Sequence, residues 1–248
     1  MRFEDRFIFF PSREMRATPA SVGMAYEDVR FGPRGRLHGW FVPGVGPGTL
    51  VWFHGNAGNV SDRVELLALL HRALGMNLFI FDYQGYGLSE GQPSEEGTYQ
   101  DARAALEYLS GRSGVTADRI VYYGESLGGA IAARLATEHR PERLIVQAAF
   151  TSVSDMARVH YPFLPLGPFL RTRYATIELI GHVQAPILIV HGEDDEIVPL
   201  DHAHRLYAAA ADPKQLVVVK GAMHNDVIAV GGASYQEAVR EFCGLASE

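Results

Sequence analysis

Apolar residues fall into two alternating patterns along this chain. Short continuous blocks, Thr49–Phe53, Leu78–Phe81, Arg119–Tyr123, Leu144–Phe150, Pro186–Val190 and Gln215–Val219, read as strands. Between them lie longer stretches in which apolar positions recur every three or four residues, as at Val64, Leu67, Leu70 and Leu74. That spacing predicts helices over Val60–Leu74, Glu95–Leu109, Leu127–His139, Asp201–Ala211 and Ser234–Leu245, with Asn59 or Ser61 capping the first. Strands that are apolar throughout are covered on both faces, and strands alternating with helices form a parallel sheet. Ahead of this series, Tyr26–Phe31 and Leu37–Val42 flank the turn Gly32-Pro33-Arg34-Gly35 and read as a hairpin. The expected architecture is therefore α/β. It has eight strands, the second antiparallel and the rest mostly parallel, with helices on both faces. Residues 1–24 read as irregular, with Phe7–Phe10 packed on the body.

One stretch breaks the alternation. Residues 151–184 contain Tyr161-Pro162-Phe163-Leu164-Pro165-Leu166-Gly167-Pro168-Phe169-Leu170, apolar and proline-rich together. A solvated loop is not expected to be so apolar, and long irregular excursions in compact domains are usually functional. The stretch reads as a small lid over the carboxyl ends of the strands; a structural loop on the sheet edge is the plainer alternative.

Composition narrows the picture. The 248 residues carry no linker-like segment, so one domain, 1–248, is expected, with the lid as an insertion. A formal net charge of −7 argues against a nucleic acid as the main partner. The single cysteine, Cys243, excludes an intrachain disulfide and fits a reducing compartment. The longest apolar run near the start, Phe7–Phe10, is too short for a signal peptide or a membrane span. A soluble, cytoplasmic protein is expected.

An open α/β sheet presents its reactive groups at the carboxyl ends of its strands. The block ending at Tyr123 runs into Gly124-Glu125-Ser126-Leu127-Gly128 and then into a helix. G-x-S-x-G between a strand and a helix holds a serine on a strained turn with its Oγ exposed. With 26 glycines in the chain the motif alone is weak, but its strand–helix context is not. The third strand delivers His54-Gly55-Asn56-Ala57-Gly58-Asn59, small residues whose N–H groups can face a ligand. An oxyanion hole then draws on the N–H groups of Asn56 and Leu127. His54 is expected to orient that loop. The fourth strand delivers Asp82–Gly91, where Asp82 and Ser89 read as structural. The seventh delivers His191–Pro199, with Asp195 the preferred acid and Asp194 the runner-up. The eighth delivers His224, placed to reach Ser126. The order Ser, Asp, His is that of one class of hydrolases. His202-x-His204 lacks further ligand partners, so no metal is expected there.

These residues resemble a known family. His54–Asn59, Asp82–Gly91, Gly124–Gly129, Tyr161–Pro165, His191–Pro199 and His224–Asp226 together resemble the α/β-hydrolase fold. Within it they resemble the bud-emergence-like serine hydrolases of ABHD type, over nearly the whole chain. The resemblance implies Ser126 as nucleophile, Asp195 as acid and His224 as base, and it selects Asp195 over Asp194. Gln84 stands where such loops often carry Arg, and Met223 where Gly is frequent. Membrane-anchored relatives carry an N-terminal transmembrane or Cys-rich segment with no counterpart here. A depalmitoylase working at membranes is therefore not implied.

The expected activity is hydrolysis of a small-molecule carboxylic ester or thioester through an acyl-serine, with no cofactor. Tyr161, Phe163, Leu164 and Met223 are the expected substrate-binding residues. Leu166, Phe169 and Leu170 of the lid add apolar surface, so the acyl or alcohol group should be apolar. A peptidase on the same fold is the alternative, with Glu125 or Glu90 anchoring a peptide amine. A non-catalytic binding module is the third reading.

Overall fold

The structure is a computed structural model that describes residues 4–46, 48–164 and 170–245. Eight strands form one sheet: β1 (Glu27–Phe31), β2 (Leu37–Val42), β3 (Thr49–Phe53), β4 (Asn77–Asp82), β5 (Ile120–Glu125), β6 (Arg143–Gln147), β7 (Ile187–Gly192) and β8 (Lys214–Val219). Their order across the sheet is β8-β7-β6-β5-β3-β4-β2-β1. Only β2 runs against its neighbours, pairing antiparallel with β1 and β4.

The chain steps from β3 to β4 on one side, then crosses to β5 on the other side of β3. Open α/β sheets bind ligands at such a reversal. The loop after β3 and the turn after β5 therefore meet at one place.

Side-chain alternation explains the two covered faces. Val51, Phe53, Phe79, Phe81, Ile120, Tyr122, Leu144 and Val146 share one core with α3 (Glu95–Ser110), α4 (Leu127–Glu138) and α7 (Asp201–Ala209). Leu50, Trp52, Leu78, Ile80, Val121, Tyr123 and Ile145 share the other with α2 (Val64–Leu74) and α8 (Val227–Phe242). Successive strand residues point to opposite faces, so a strand with both faces covered must be apolar at every position.

Several boundaries differ from the sequence pattern. Residues 4–24 are not wholly irregular: they hold helix α1 (Asp5–Ile8), a 3-10 turn at Pro19–Val22 and a two-residue strand, Phe10–Pro11. That strand pairs in parallel with Ala57–Gly58, so a second, minor sheet straps the start of the chain to the loop after β3. Phe9 is buried as expected, but Phe7 and Phe10 face outward. The last helix starts at Val227 rather than Ser234, because it continues on both sides of a break at Gly232, where φ is 50°. Gly232 marks a kink inside this helix, not its beginning. The 151–184 stretch contains α5 (Val153–His160), capped by the Ser152 side chain, and α6 (Thr176–Leu179). Its residues Leu166 and Phe169 lie outside the described residues. No helix of the described residues is long and apolar enough to cross a membrane.

Candidate active site

Ser126 caps the junction of β5 and α4 at φ 52°, ψ −114°. A non-glycine residue at positive φ is costly, about 1–3 kcal/mol, and persists only where its surroundings over-determine it. Here they do. The Ser126 N–H donates to Gln147 O at 2.8 Å, and its carbonyl accepts from Gly129 N at 3.0 Å. The turn is tight because glycines permit it. A Cβ on Gly124 would lie 2.5 Å from Gly128 O, and one on Gly128 would lie 1.9 Å from Phe53 O.

Three chain-distant side chains converge on this turn. His224 Nε2 lies 3.1 Å from Ser126 Oγ. His224 Nδ1 lies 2.8 Å from Asp195 Oδ2. A carboxylate can only accept, so Nδ1 carries the proton and Nε2 presents its lone pair to the serine hydroxyl. Asp195, not Asp194, reaches the histidine. Asp194 instead uses its N–H to bond Ala222 O.

Asp195 accepts three hydrogen bonds and has a second histidine close by. Its Oδ1 accepts from Ile197 N at 3.0 Å and Val198 N at 2.7 Å. Its Oδ2 faces His191 Nε2 at 3.2 Å as well as His224. Burial pushes the carboxyl up, but the His191 and His224 rings beside it and the Val198 N–H outweigh it and hold it well below the usual carboxylate range. The group stays ionised and fixed. His224 is held in turn by its own N–H, which donates to Glu196 Oε2 at 3.2 Å.

The Asn56 loop sits beside Ser126. Neither Asn56 nor Leu127 spends its N–H on a main-chain acceptor among the described residues. The Asn56 side chain is tied down on three sides. Its Nδ2 donates to Ile8 O, and its Oδ1 accepts from Phe10 N at 3.3 Å and from the Tyr86 hydroxyl at 3.0 Å. His54 is fully buried and donates Nδ1–H to Gly55 O at 2.7 Å, bracing the loop. Burial first, and the nearby Arg63 charge second, push its pKa well down, so it stays neutral. Tyr83 Oη donates to His54 O at 2.9 Å.

Asp82 and Ser89 act on structure. Asp82 Oδ1 accepts from Val60 N at 3.0 Å. Ser89 Oγ donates to Asp82 O at 2.6 Å and accepts from His38 N at 2.9 Å. His202 is buried and bonded through Nδ1 to Thr151 N at 3.2 Å. Burial pushes the Cys243 thiol up to about 12, which leaves it unreactive.

His160, at the end of α5, bonds Ile197 O at 2.9 Å and so joins the 151–184 stretch to the Asp195 loop. Tyr161, Phe163 and Leu164 are 55%, 95% and 54% exposed, and Met223, next to His224, is 46% exposed. No hydrogen bond or ring contact joins these four side chains to the triad among the described residues. Four contributors carried no assignment in the sequence: Arg63, Tyr86, Gln147 and His191. Arg63 and Gln147 act through backbone carbonyls, His191 through a ring nitrogen and Tyr86 through its hydroxyl on the Asn56 amide, none of which a short motif announces. Arg63, a charge in the turn that leads into an apolar helix face, was the one visible signal.

A serine, histidine and carboxylate in line at a strand–helix turn, on a sheet whose order reverses there, define an α/β hydrolase. Comparison with known proteins agrees. The sequence model described as the alpha/beta hydrolase fold matches residues 48–175. A second, described as serine aminopeptidase S33, matches residues 157–227. An uncharacterized protein of Mycobacterium tuberculosis, Rv2307c, is 46% identical over 96% of this chain and 86% of its own length. Protein bem46 of Schizosaccharomyces pombe is 34% identical over 93% of this chain and 81% of its own. A Pyrococcus furiosus esterase, Pf2001, superposes with a TM-score of 0.79 at 20% identity, over 96% of this chain and 97% of that one. This chain belongs to the alpha/beta hydrolase family, in its bud-emergence-like, ABHD-type branch.

Proposed function

We propose that this protein is a serine hydrolase of carboxylic esters or thioesters with an apolar acyl or alcohol group. The observation that carries the reading is the continuous line Asp195 Oδ2–His224 Nδ1, 2.8 Å, and His224 Nε2–Ser126 Oγ, 3.1 Å. As Ser126 Oγ attacks the acyl carbon, His224 Nε2 takes its proton. Asp195 holds the imidazole tautomer and stabilises the imidazolium. The negative charge that develops on the carbonyl oxygen is met by the N–H groups of Asn56 and Leu127 and by the positive end of α4. His224 then returns the proton to the leaving alcohol or thiol. Water, deprotonated by the same nitrogen, cleaves the acyl-serine.

Exposed apolar side chains at Tyr161, Phe163 and Leu164, and at Met223 next to His224 in the chain, support an apolar substrate group. The esterase likeness of Pf2001 is consistent with ester chemistry on this fold. The peptidase reading needs a free carboxylate to anchor an amine. Glu125 Oε2 already accepts from Trp52 Nε1 at 3.2 Å and faces Arg63 Nε at 3.8 Å. Glu90 pairs with Arg36 at 3.1 Å. Neither stands free, which favours the ester reading. With one cysteine and no disulfide, we infer a reducing, cytoplasmic location.

An acyl-chain series of p-nitrophenyl esters and acyl-CoA thioesters, with Ser126→Ala as control, tests the reading. Activity should favour apolar chains over acetyl and fall by about 10³-fold or more in the variant. Equal turnover by Ser126→Ala would refute it.

A further inference from the structure

The two N–H donors of the oxyanion site belong to different elements. Asn56 lies in the loop after β3, and Leu127 opens α4 beyond β5. Their separation has to be held to a few tenths of an ångström for both to meet one oxygen. One side chain spans the gap. Arg63 ends the 3-10 turn Val60–Arg63 that leads into α2, and it is buried. Its guanidinium grips three carbonyls of the Asn56 loop. Nη1 donates to Asn59 O at 2.8 Å; Nη2 donates to Ala57 O at 2.9 Å and to Gly55 O at 3.3 Å. Those carbonyls lie on both sides of Asn56 in the chain.

The other edge of the guanidinium turns to the elbow. Arg63 Nε faces Glu125 Oε2 at 3.8 Å, and Glu125 is the residue immediately before Ser126. Trp52 Nε1, from β3, fixes the same oxygen at 3.2 Å. Gly55 is wedged between the two charged groups: a Cβ there would lie 3.2 Å from Glu125 Oε1 and 3.5 Å from Arg63 Nη2. A buried cation is expensive to maintain, and an apolar residue of similar volume would often serve stability as well. It would not bind three carbonyls at once and set a positive charge beside a carboxylate. Only a planar, multi-donor group does that.

We propose that Arg63, with Glu125 as its counter-charge, is a positioning residue that sets the spacing of the Asn56 and Leu127 N–H groups. It touches no substrate. The proposal rests on Ser126 being the acyl acceptor. Without Arg63, a loop built of Gly55, Ala57 and Gly58 loses its shared anchor. The Asn56 N–H then meets the oxyanion less well, while ground-state binding is barely touched. Such a loss lowers kcat and leaves KM.

The test compares Arg63→Met, Arg63→Lys and Glu125→Gln on a p-nitrophenyl ester, with active sites counted by fluorophosphonate labelling. Affinity for a trifluoromethyl ketone is measured in parallel, because its adduct places an oxyanion on the same two donors. Arg63→Met should lose about 10²-fold in kcat per labelled site and a similar factor in ketone affinity, with KM within about threefold. Arg63→Lys should recover only part of this, since an ammonium cannot span three carbonyls. Glu125→Gln keeps an acceptor for Trp52 and should lose about tenfold. Folded Arg63→Met with kcat and ketone affinity within about threefold of the parent overturns the proposal. Should that variant not fold, unchanged values in both Arg63→Lys and Glu125→Gln overturn it equally. Failure of the serine reading looks different: there, Ser126→Ala itself would retain hydrolysis.

Discussion

Asp195 and Asp101 show how one residue type is driven in opposite directions. Asp195 is buried, accepts three hydrogen bonds, has His191 beside it and stays ionised. Asp101, on α3, has only the N–H and amide of Gln84 among the described residues, at 2.8 and 3.3 Å. Burial therefore wins at Asp101 and pushes its pKa up to about 7, with the Gln84 bonds pulling back. A folded-state pKa above the unfolded value of about 3.9 means the native state binds the proton more tightly. The stability this contributes is complete below about pH 4 and is lost as pH rises through about 7. Asp101→Asn cannot ionise. Melting curves from pH 4 to 8 should show the parent losing ground to this variant as pH rises, by several degrees. A constant difference across that range would contradict the assignment. At this scale the triad was legible because each member follows a strand. The choice of Asp195 over Asp194 was not fixed by spacing, since both sit in one acidic turn. The Ile197 and Val198 N–H groups that hold Asp195 become visible only once the turn is folded.

Elements carry the site by close approach. The β5–α4 elbow works because Gly128 lets the helix start against the carbonyl of Phe53, at the end of β3. Gly128→Ala would place a carbon 1.9 Å from that oxygen, a contact no rotamer can relieve. The variant should be destabilised by about 3 kcal/mol or more, or fail to fold, as thermal denaturation would show. A stable variant with an unchanged melting temperature would mean the elbow is looser than this. The strands were legible as continuous apolar blocks, because both sheet faces are covered. The strap at the start of the chain was not. Phe10–Pro11 pairs through main-chain groups with Ala57–Gly58, and no side-chain pattern encodes a two-residue pairing. The kink in α8 was missed for the converse reason: Gly231-Gly232 breaks a pattern that the backbone resumes.

The whole molecule places the Ser126–His224–Asp195 cluster where the two halves of the sheet order meet. Cores on both faces share the same strands, so neither half can be removed without exposing the other. We therefore expect a single cooperative unfolding transition, with calorimetric and van't Hoff enthalpies that agree. Two separable transitions would argue for more than one domain. The acyl-accepting role of Ser126 is tested most directly by mass spectrometry of protein quenched during turnover of a slowly released p-nitrophenyl ester. One acyl group should be found, on the peptide containing Ser126, and it should disappear in Ser126→Ala. Steady hydrolysis with no acyl adduct at Ser126, or with the adduct on another residue, would contradict the mechanism.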